Sequence, residues 1–178
     1  MKPVRSASLL ARVTGESAPT PALRAAPDAT THAIDERSPT ILLAEDNEIN
    51  ALLATRQIER MGFRVVWAKD GDEALRKLED SFNGAAPPHA GALFDMRMPT
   101  MNGDDLVRLV RALEAARGRK RLPIVAVTAS AFPEDRAAAL ASGFDDFLIK
   151  PIEPTALAAI LARWLAHEET AAPLRRAG

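Results

Sequence analysis

Three acidic side chains in this sequence directly follow short apolar runs: Glu45 and Asp46 follow Ile41–Ala44, and Asp95 follows Ala92–Phe94. Carboxylates grouped without histidine or cysteine are hard oxygen ligands, which suit Mg²⁺ or Mn²⁺. Such acids would repel one another unless a cation lay among them. An isolated Asp after a strand is more often a helix cap or a satisfied loop acid than a reactive group, and the acid pair could favour a helix N-terminus through its dipole. Whether Asp95 is reactive or structural depends on the residues that follow the other apolar runs.

Thr128 and Lys150 also follow apolar runs, Ile124–Val127 and Phe147–Ile149. A lysine can pair with a carboxylate or with a phosphoryl oxygen, and a hydroxyl can donate a hydrogen bond to another such oxygen. A carboxylate beside a divalent cation and a lysine can attack phosphorus as a nucleophile and form an aspartyl phosphate. The threonine has a plainer interpretation as a residue with high β-propensity.

The apolar runs are predicted to be strands, and segments with helical spacing separate them. Strands that alternate with helices predict an α/β fold in which helices cover both faces of a parallel sheet. In the strand order 2-1-3-4-5, ligands bind beyond the carboxyl ends of the strands, where the order reverses. The strands before Glu45 and Asp95 flank that point, so the candidate residues are expected to meet at one edge of the sheet. The five predicted strands are Ile41–Ala44, Phe63–Trp67, Ala92–Phe94, Ile124–Val127 and Phe147–Ile149.

Each segment after a predicted strand carries an apolar stripe, which is typical of a helix that packs on a core. Pro133 and Pro154 stand where helices should begin, and Gly62 and Gly143 stand where helices should end. These positions support five helices. The stripes consist of Ile49, Leu52 and Leu53; Ala74, Leu75 and Leu78; Leu106, Leu109, Val110 and Leu113; Ala137 and Leu140; and Leu157, Ile160, Leu161 and Trp164.

The chain has 178 residues, 47% of them hydrophobic, which is enough for one globular domain with tails. Residues 1–38 are rich in Ala, Pro, Ser and Thr, a composition typical of a disordered leader or linker. The domain is expected to cover residues 39–167, followed by a flexible tail over residues 168–178. No apolar run approaches the roughly 20 residues that span a bilayer, and no secretory signal is recognisable. We therefore expect a cytoplasmic protein.

The charge balance and the absence of cysteine narrow the possible partners and chemistry. A net charge of −1 gives no global electrostatic reason to bind nucleic acid or an anionic membrane. The chain has no cysteine, which excludes disulfides, thiolate zinc sites and a cysteine nucleophile. The basic run at 117–121 lacks interleaved aromatic residues, so we interpret it as a solvated turn rather than a nucleic-acid site.

Four motifs at the strand ends, in this order, resemble those of the receiver domain of two-component response regulators. ILLAEDNEIN (41–50) is similar to the first strand and acid pair, and FDMRMPTMNG (94–103) is similar to the phosphoacceptor segment. PIVAVTAS (123–130) and DDFLIKP (145–151) are similar to the segments that carry the switch residues and the lysine. The resemblance is greatest to the C-terminal receivers of hybrid sensor histidine kinases. It implies the flavodoxin-like receiver fold, with the sheet order 2-1-3-4-5.

The resemblance also implies roles for the acids. Asp95 would be the phosphoacceptor. Asp46, Asp95 and the backbone carbonyl of Arg97 would bind Mg²⁺, or Mn²⁺ in its place, and Glu45 would act mainly through water.

The remaining implied roles concern the switch and its partners. Thr128 and Lys150 would bind the phosphoryl group, Phe147 would be the aromatic switch, and the Lys150–Pro151 bond would be cis. A histidine kinase or a histidine phosphotransfer protein would donate the phosphoryl group. A downstream protein would bind the face built by the fourth helix, the fifth strand and the fifth helix.

Two other functions fit parts of the pattern. By resemblance, an aspartate-nucleophile phosphatase carries a second acid two positions after the nucleophile, where this chain has Arg97, which cannot protonate a leaving group. A receiver that acts as a phosphorylation-independent docking module loses acids or the lysine, which this chain keeps. We therefore expect only self-catalysed phosphoryl transfer and autodephosphorylation, with Arg97 and Ser130 tuning the attack of water. No output domain is visible after Trp164, so we expect a stand-alone receiver or a segment of a hybrid kinase.

Overall fold

The structure of the protein, a computed structural model, describes residues 34–169, with the side chains of residues 34–164. In this part of the chain strands and helices alternate strictly. The strands are β1 (Thr40–Ala44), β2 (Arg64–Ala68), β3 (His89–Asp95), β4 (Ile124–Thr128) and β5 (Asp146–Ile149). The helices are α1 (Glu48–Arg60), α2 (Gly71–Phe82), α3 (Gly103–Ala116), α4 (Pro133–Ser142) and α5 (Pro154–Glu169).

The predicted leader, residues 1–38, lies outside the described residues except for residues 34–38, which lead into β1. The predicted tail also lies outside them beyond Glu169. Helix α5 ends at Glu169, two residues after the predicted domain boundary at residue 167, and the boundary stays a prediction. Within the described residues, no helix is both long and apolar enough to cross a membrane.

The five strands form one parallel sheet in the order β2-β1-β3-β4-β5. This is the predicted order, and it reverses between β1 and β3. Ala44 at the end of β1 lies opposite Phe94 of β3, and Thr128 at the end of β4 lies opposite Ile149 of β5. Because parallel strands end at the same edge, the residues that follow them emerge side by side.

The central strands are apolar because helices cover them on both faces. All residues of β1 are buried, and so are the last five of β3. One face of the sheet packs against α2, α3 and α4, and the other packs against α1 and α5. Burial on two faces explains why these strands read as continuous apolar runs rather than alternating ones.

A close contact joins β3 to α5. A Cβ atom placed on Gly91 would lie 2.2 Å from the ring carbon Cζ3 of Trp164. The indole ring therefore occupies the space that a side chain on this strand would need, and any larger residue at position 91 would displace it. The predicted α5 stripe is confirmed, since Leu157, Leu161 and Trp164 are all buried.

The predicted stripe of α1 is wrong. Ile49, Leu52 and Leu53 are 71%, 57% and 58% exposed, whereas the buried side of the helix carries Ala51 and Ala54 with Ile58. The three buried residues also repeat with helical spacing, but two are alanines and give a weak hydrophobic signal. Small side chains let a helix approach a sheet closely, so here packing geometry outweighs side-chain hydrophobicity.

The predicted stripe of α4, Ala137 and Leu140, is also wrong, since both residues are exposed, and the stripe of α3 is partly wrong. In α4 the buried residue is Ala139, while Leu140 is 43% exposed. In α3, Leu106 and Val110 are buried as predicted, but Leu109 is 42% exposed.

Candidate functional site

Asp95 is the last residue of β3, and its side chain is buried at the edge where the strands end. Its Oδ1 accepts a hydrogen bond of 3.1 Å from the backbone N–H of Arg97. Its Oδ2 accepts a hydrogen bond of 2.6 Å from Lys150 Nζ. The pairing of Lys150 with Asp95, which the sequence suggested, is therefore present.

Glu45 follows β1 and shares the same lysine. Its Oε2 lies 2.6 Å from Lys150 Nζ, and its Oε1 accepts a hydrogen bond of 3.0 Å from Asn50 Nδ2. Sequence reasoning missed Asn50. The available signal was its spacing, since a residue in the first turn of α1 is close enough to reach back to the strand end.

Lys150 remains charged between the two acids. Burial of the ammonium group opposes its charge, but hydrogen bonds from Lys150 to Asp95 and Glu45 outweigh burial and raise the pKa of Lys150 above its ordinary value. The peptide bond between Lys150 and Pro151 is cis, as the resemblance implied.

The three acids form a cluster that suits a divalent cation. One carboxylate oxygen each from Glu45, Asp46 and Asp95 lies within 4.8 Å of the other two. Glu45 and Asp95 are buried and Asp46 is exposed, so the cluster opens to solvent on one side. Oxygen donors without nitrogen or sulfur fit Mg²⁺ or Mn²⁺, and a cation would relieve the repulsion between the acids. The Arg97 carbonyl as a further ligand stays a prediction.

The segments on both sides of the acids are held by short-range contacts. Asn47 caps α1, because its side chain accepts hydrogen bonds from the N–H groups of Ile49 and Asn50. On the other side, a Cβ atom on Gly103 would lie 2.6 Å from the backbone oxygen of Asp95. Glycine is therefore required where α3 begins against the end of β3.

The switch candidates lie along an open groove of about 780 Å³ beside the acids. Thr128 is half-buried, and its Oγ1 accepts a hydrogen bond of 3.1 Å from the Ser130 N–H. The Ser130 hydroxyl donates to the carboxylate of Asp135. Phe147 is half-buried in the same groove, with the Arg136 guanidinium 5.1 Å from its ring centroid. The groove brings Thr128, Ser130 and Phe147 to the edge that carries the acids, as the strand order predicts.

The basic run at 117–121 makes contacts within its own domain. Arg117 donates a hydrogen bond to Asn83, and Arg119 donates to the backbone oxygen of Phe82, both at the end of α2. Arg121 pairs with Asp145 at 2.8 Å. These exposed side chains fix the turn to its neighbours, and the interpretation of the run as a solvated turn stays a prediction.

The comparisons with known proteins agree with this geometry. Residues 41–162 match the family model of the response regulator receiver domain. The chain belongs to this family. Over 131 residues, or 74% of this chain, the receiver is 35% identical to the sensor protein GacS of Pseudomonas syringae pv. syringae. It spans only 14% of the length of GacS.

Two solved structures resemble the receiver closely in fold. One is the receiver domain of the sensor histidine kinase PA1611 from Pseudomonas aeruginosa PAO1, which has a magnesium ion coordinated in its active-site cleft. It is 35% identical, with a TM-score of 0.62 and coverage of 72% of this chain and 98% of that one. The other is the Saccharomyces cerevisiae Ssk1 receiver, solved with the histidine phosphotransfer protein Ypd1. It is 27% identical, with a TM-score of 0.63, and the match covers 71% of this chain and 88% of the Ssk1 receiver. The predicted family and fold are confirmed.

Proposed function

We propose that this receiver works in a phosphorelay, in which Asp95 accepts a phosphoryl group from a phosphohistidine on a histidine kinase or a histidine phosphotransfer protein. The observation that carries the proposal is the 2.6 Å contact between the buried Asp95 carboxylate and Lys150, beside two further acids. A carboxylate, a lysine and cation ligands at one place are the groups that phosphoryl transfer to an acid requires. The Ssk1 receiver crystallised with Ypd1 supports a protein donor of this kind.

The chemistry is one displacement at phosphorus. A carboxylate oxygen of Asp95 forms the new O–P bond while the N–P bond breaks, and the electron pair of that bond returns to the imidazole that leaves. When bound, Mg²⁺ supplies positive charge that offsets the charge on the phosphoryl oxygens. Asp46, Asp95 and the Arg97 carbonyl would hold this ion, with Glu45 reaching it through water.

Lys150 and Thr128 stabilise the product. Lys150 is charged and already lies against Asp95, so it can donate a hydrogen bond to a phosphoryl oxygen with little movement. The Thr128 hydroxyl can turn to donate to a second oxygen. Phe147 then turns inward along the groove as the β4–α4 loop closes.

The face built by α4, β5 and α5 would pass this change to a downstream protein. Phe132, Leu140 and Ile149 are exposed on its α4 and β5 portions, at 65%, 43% and 39%. Large exposed apolar side chains favour binding to a protein partner. We expect phosphorylation to change affinity at this face by about 1–3 kcal/mol, the usual size of such couplings.

The donor would dock on the exposed side of α1. Ile49, Leu52 and Leu53 are well exposed there, and Leu53 lines a small cavity with Pro151 and Ile152 beside Lys150. A donor protein on this surface would hold its phosphohistidine over the mouth of the site. The apolar side chains would supply affinity without blocking Asp95.

The receiver would not turn over small substrates. Arg97 lies at the position where an aspartate-nucleophile phosphatase would need an acid, and its side chain is exposed. We propose that Arg97 and Ser130 instead set how fast water attacks the acyl phosphate. The Arg97→Ala and Ser130→Ala variants should therefore change the rate of dephosphorylation.

The test of the proposed function is labelling by a small phosphodonor. The chain is incubated with phosphoramidate and Mg²⁺ and separated on a phosphate-affinity gel. Asp95→Asn should abolish the shifted band. Asp80→Asn changes an exposed acid at the opposite edge of the sheet and should label like the wild-type chain. Full labelling of Asp95→Asn would contradict the assignment of the acceptor, and a wild-type chain that neither labels nor gains stability from Mg²⁺ and beryllofluoride would favour a docking module.

A further inference from the structure

Trp67 has an unusual position for a large aromatic residue. It lies near the end of β2, the edge strand of the sheet, and 39% of its surface is exposed. Its indole Nε1–H donates a hydrogen bond of 2.8 Å to the backbone oxygen of Glu45. An indole that keeps this much surface in water but bonds a single backbone carbonyl is placed for that contact rather than for burial.

The hydrogen bond from Trp67 completes the fixation of Glu45. The backbone N–H of Glu45 donates to the Ala68 oxygen at 3.1 Å, and its carbonyl accepts from Trp67. Its two carboxylate oxygens bond Asn50 and Lys150. Strand β2 therefore forms hydrogen bonds with both backbone groups of Glu45. The bond from Trp67 lies one residue beyond Ala44, the last residue of β1 that pairs with β2.

The hydrogen bond from Trp67 to Glu45 mainly affects the position of the next residue, Asp46. The carbonyl oxygen of Glu45 and the Cα of Asp46 belong to one planar peptide unit, so fixing the oxygen fixes the direction in which Asp46 leaves the strand. The Asp46 carboxylate is exposed and, among the described residues, accepts no hydrogen bond of its own. Its place in the acid cluster consequently depends on the backbone that carries it.

We propose that Trp67 is a positioning residue for the cation site: its indole N–H fixes the Glu45–Asp46 peptide and so directs the Asp46 carboxylate toward Glu45 and Asp95. The inference rests on the proposed function, because it assumes that the acid cluster binds a divalent cation. Under this inference Trp67, which lies outside the acid motif, partly determines the affinity of the site for the cation.

The test is the Trp67→Phe variant, which keeps an aromatic ring on the edge strand and removes the N–H. The Kd for Mg²⁺, measured by calorimetry on the full chain, should rise by about threefold to tenfold, the effect of losing one hydrogen bond. Circular dichroism should show that the variant is folded at the temperature of the titration. Trp164→Phe makes the same chemical change at the far end of β3 and should leave the Kd unchanged.

A second measurement separates positioning from general stability. The chain has two tryptophans, so a ¹H–¹⁵N spectrum contains two indole signals, which the two Phe variants assign. Mg²⁺ should move the Trp67 signal and leave the Trp164 signal in place. An unchanged Kd in Trp67→Phe, or a Trp67 signal that Mg²⁺ does not move, would overturn the inference alone. A wild-type chain that binds no Mg²⁺ would overturn the inference and the proposed cation site together.

Discussion

Lys150 Nζ lies 2.6 Å from Asp95 Oδ2 and 2.6 Å from Glu45 Oε2, so one ammonium group joins acids from two neighbouring strands. The lysine is only 21% exposed at its side chain, and the two acids are less exposed still. Before any phosphoryl group arrives, Lys150 already neutralises part of the charge that the acids bring together. This relationship gives the lysine a structural role, and under the proposed function the same ammonium group would bind the phosphoryl group.

The first prediction concerns Lys150 and alkaline pH. The pKa of Lys150 is raised in the folded chain. The charged lysine therefore contributes fully to stability below about pH 10.5, and this contribution is lost as the pH rises through the pKa of the folded chain. Lys150→Met should lower the free energy of unfolding at pH 8 by about 1–3 kcal/mol, since it leaves two buried acids without their partner. Urea unfolding from pH 8 to 11.5 measures both effects. The difference between the two chains should shrink above pH 10.5, and a constant difference would contradict the prediction.

The second prediction concerns the contact between Gly103 and Asp95. Gly103→Ala would place a Cβ 2.6 Å from the Asp95 backbone oxygen and 3.1 Å from the Cα of Met96, so backbone must move. We expect a loss of about 1–3 kcal/mol in stability and weaker labelling by phosphoramidate, because the shift reaches the acceptor. Gly84→Ala is the control, since that position has a φ of +77° but no atom within 4 Å of the new Cβ. It should cost stability through backbone strain and leave labelling intact.

The third prediction concerns the exposed side of α1. Leu53→Ser should change stability by less than about 0.5 kcal/mol, because the side chain is 58% exposed. It should slow phosphotransfer from a phosphorylated protein donor while labelling by phosphoramidate stays normal. Leu109→Ser alters a similarly exposed leucine on α3 and should slow neither reaction. Equal donor rates for the two variants would exclude α1 as the docking surface.

The fourth prediction concerns His89 and acidic pH. Both ring nitrogens are buried and have no hydrogen-bond partner among the described residues. Burial lowers the pKa of His89 below 6.5; a weak contact with the backbone of Lys77 opposes this shift in part, and the charge of the Lys77 side chain adds to it. The unfolded chain therefore binds the proton more readily, and stability is lost as the pH falls below about 6.5. His89→Leu should lose less stability than the wild-type chain between pH 7 and 5 in thermal unfolding, and parallel curves would refute the prediction.

Much of the fold and the site could be predicted because the central strands are buried on both faces. That burial produces continuous apolar runs, and it places the residues that follow them at one edge of the sheet. Asp95, Thr128 and Lys150 could be located by this rule alone. The orientation of α1 could not, because Ala51 and Ala54 pack closely without a strong hydrophobic signal, while Leu52 and Leu53 face solvent.

The hydrogen bonds that support the site were also beyond sequence reasoning. Trp67 reads as an ordinary apolar strand residue, and its bond to Glu45 depends on the register that places Ala44 opposite Ala68. Asn50 reads as a polar residue on a helix surface, and its bond to Glu45 depends on where α1 begins. The spacing of Asn50 from Glu45 was a usable signal once the start of α1 was known, whereas the contact of Trp67 comes from a neighbouring strand and has no local sequence signal.

The contact between Gly91 and the ring of Trp164 also restricts how α5 can move. The next side chain on that face of β3 is Leu93, so a sliding movement of α5 along the strand would press the ring against a leucine. The contact between Gly91 and Trp164 therefore fixes the position of α5 along β3 at the edge of the sheet away from the acids.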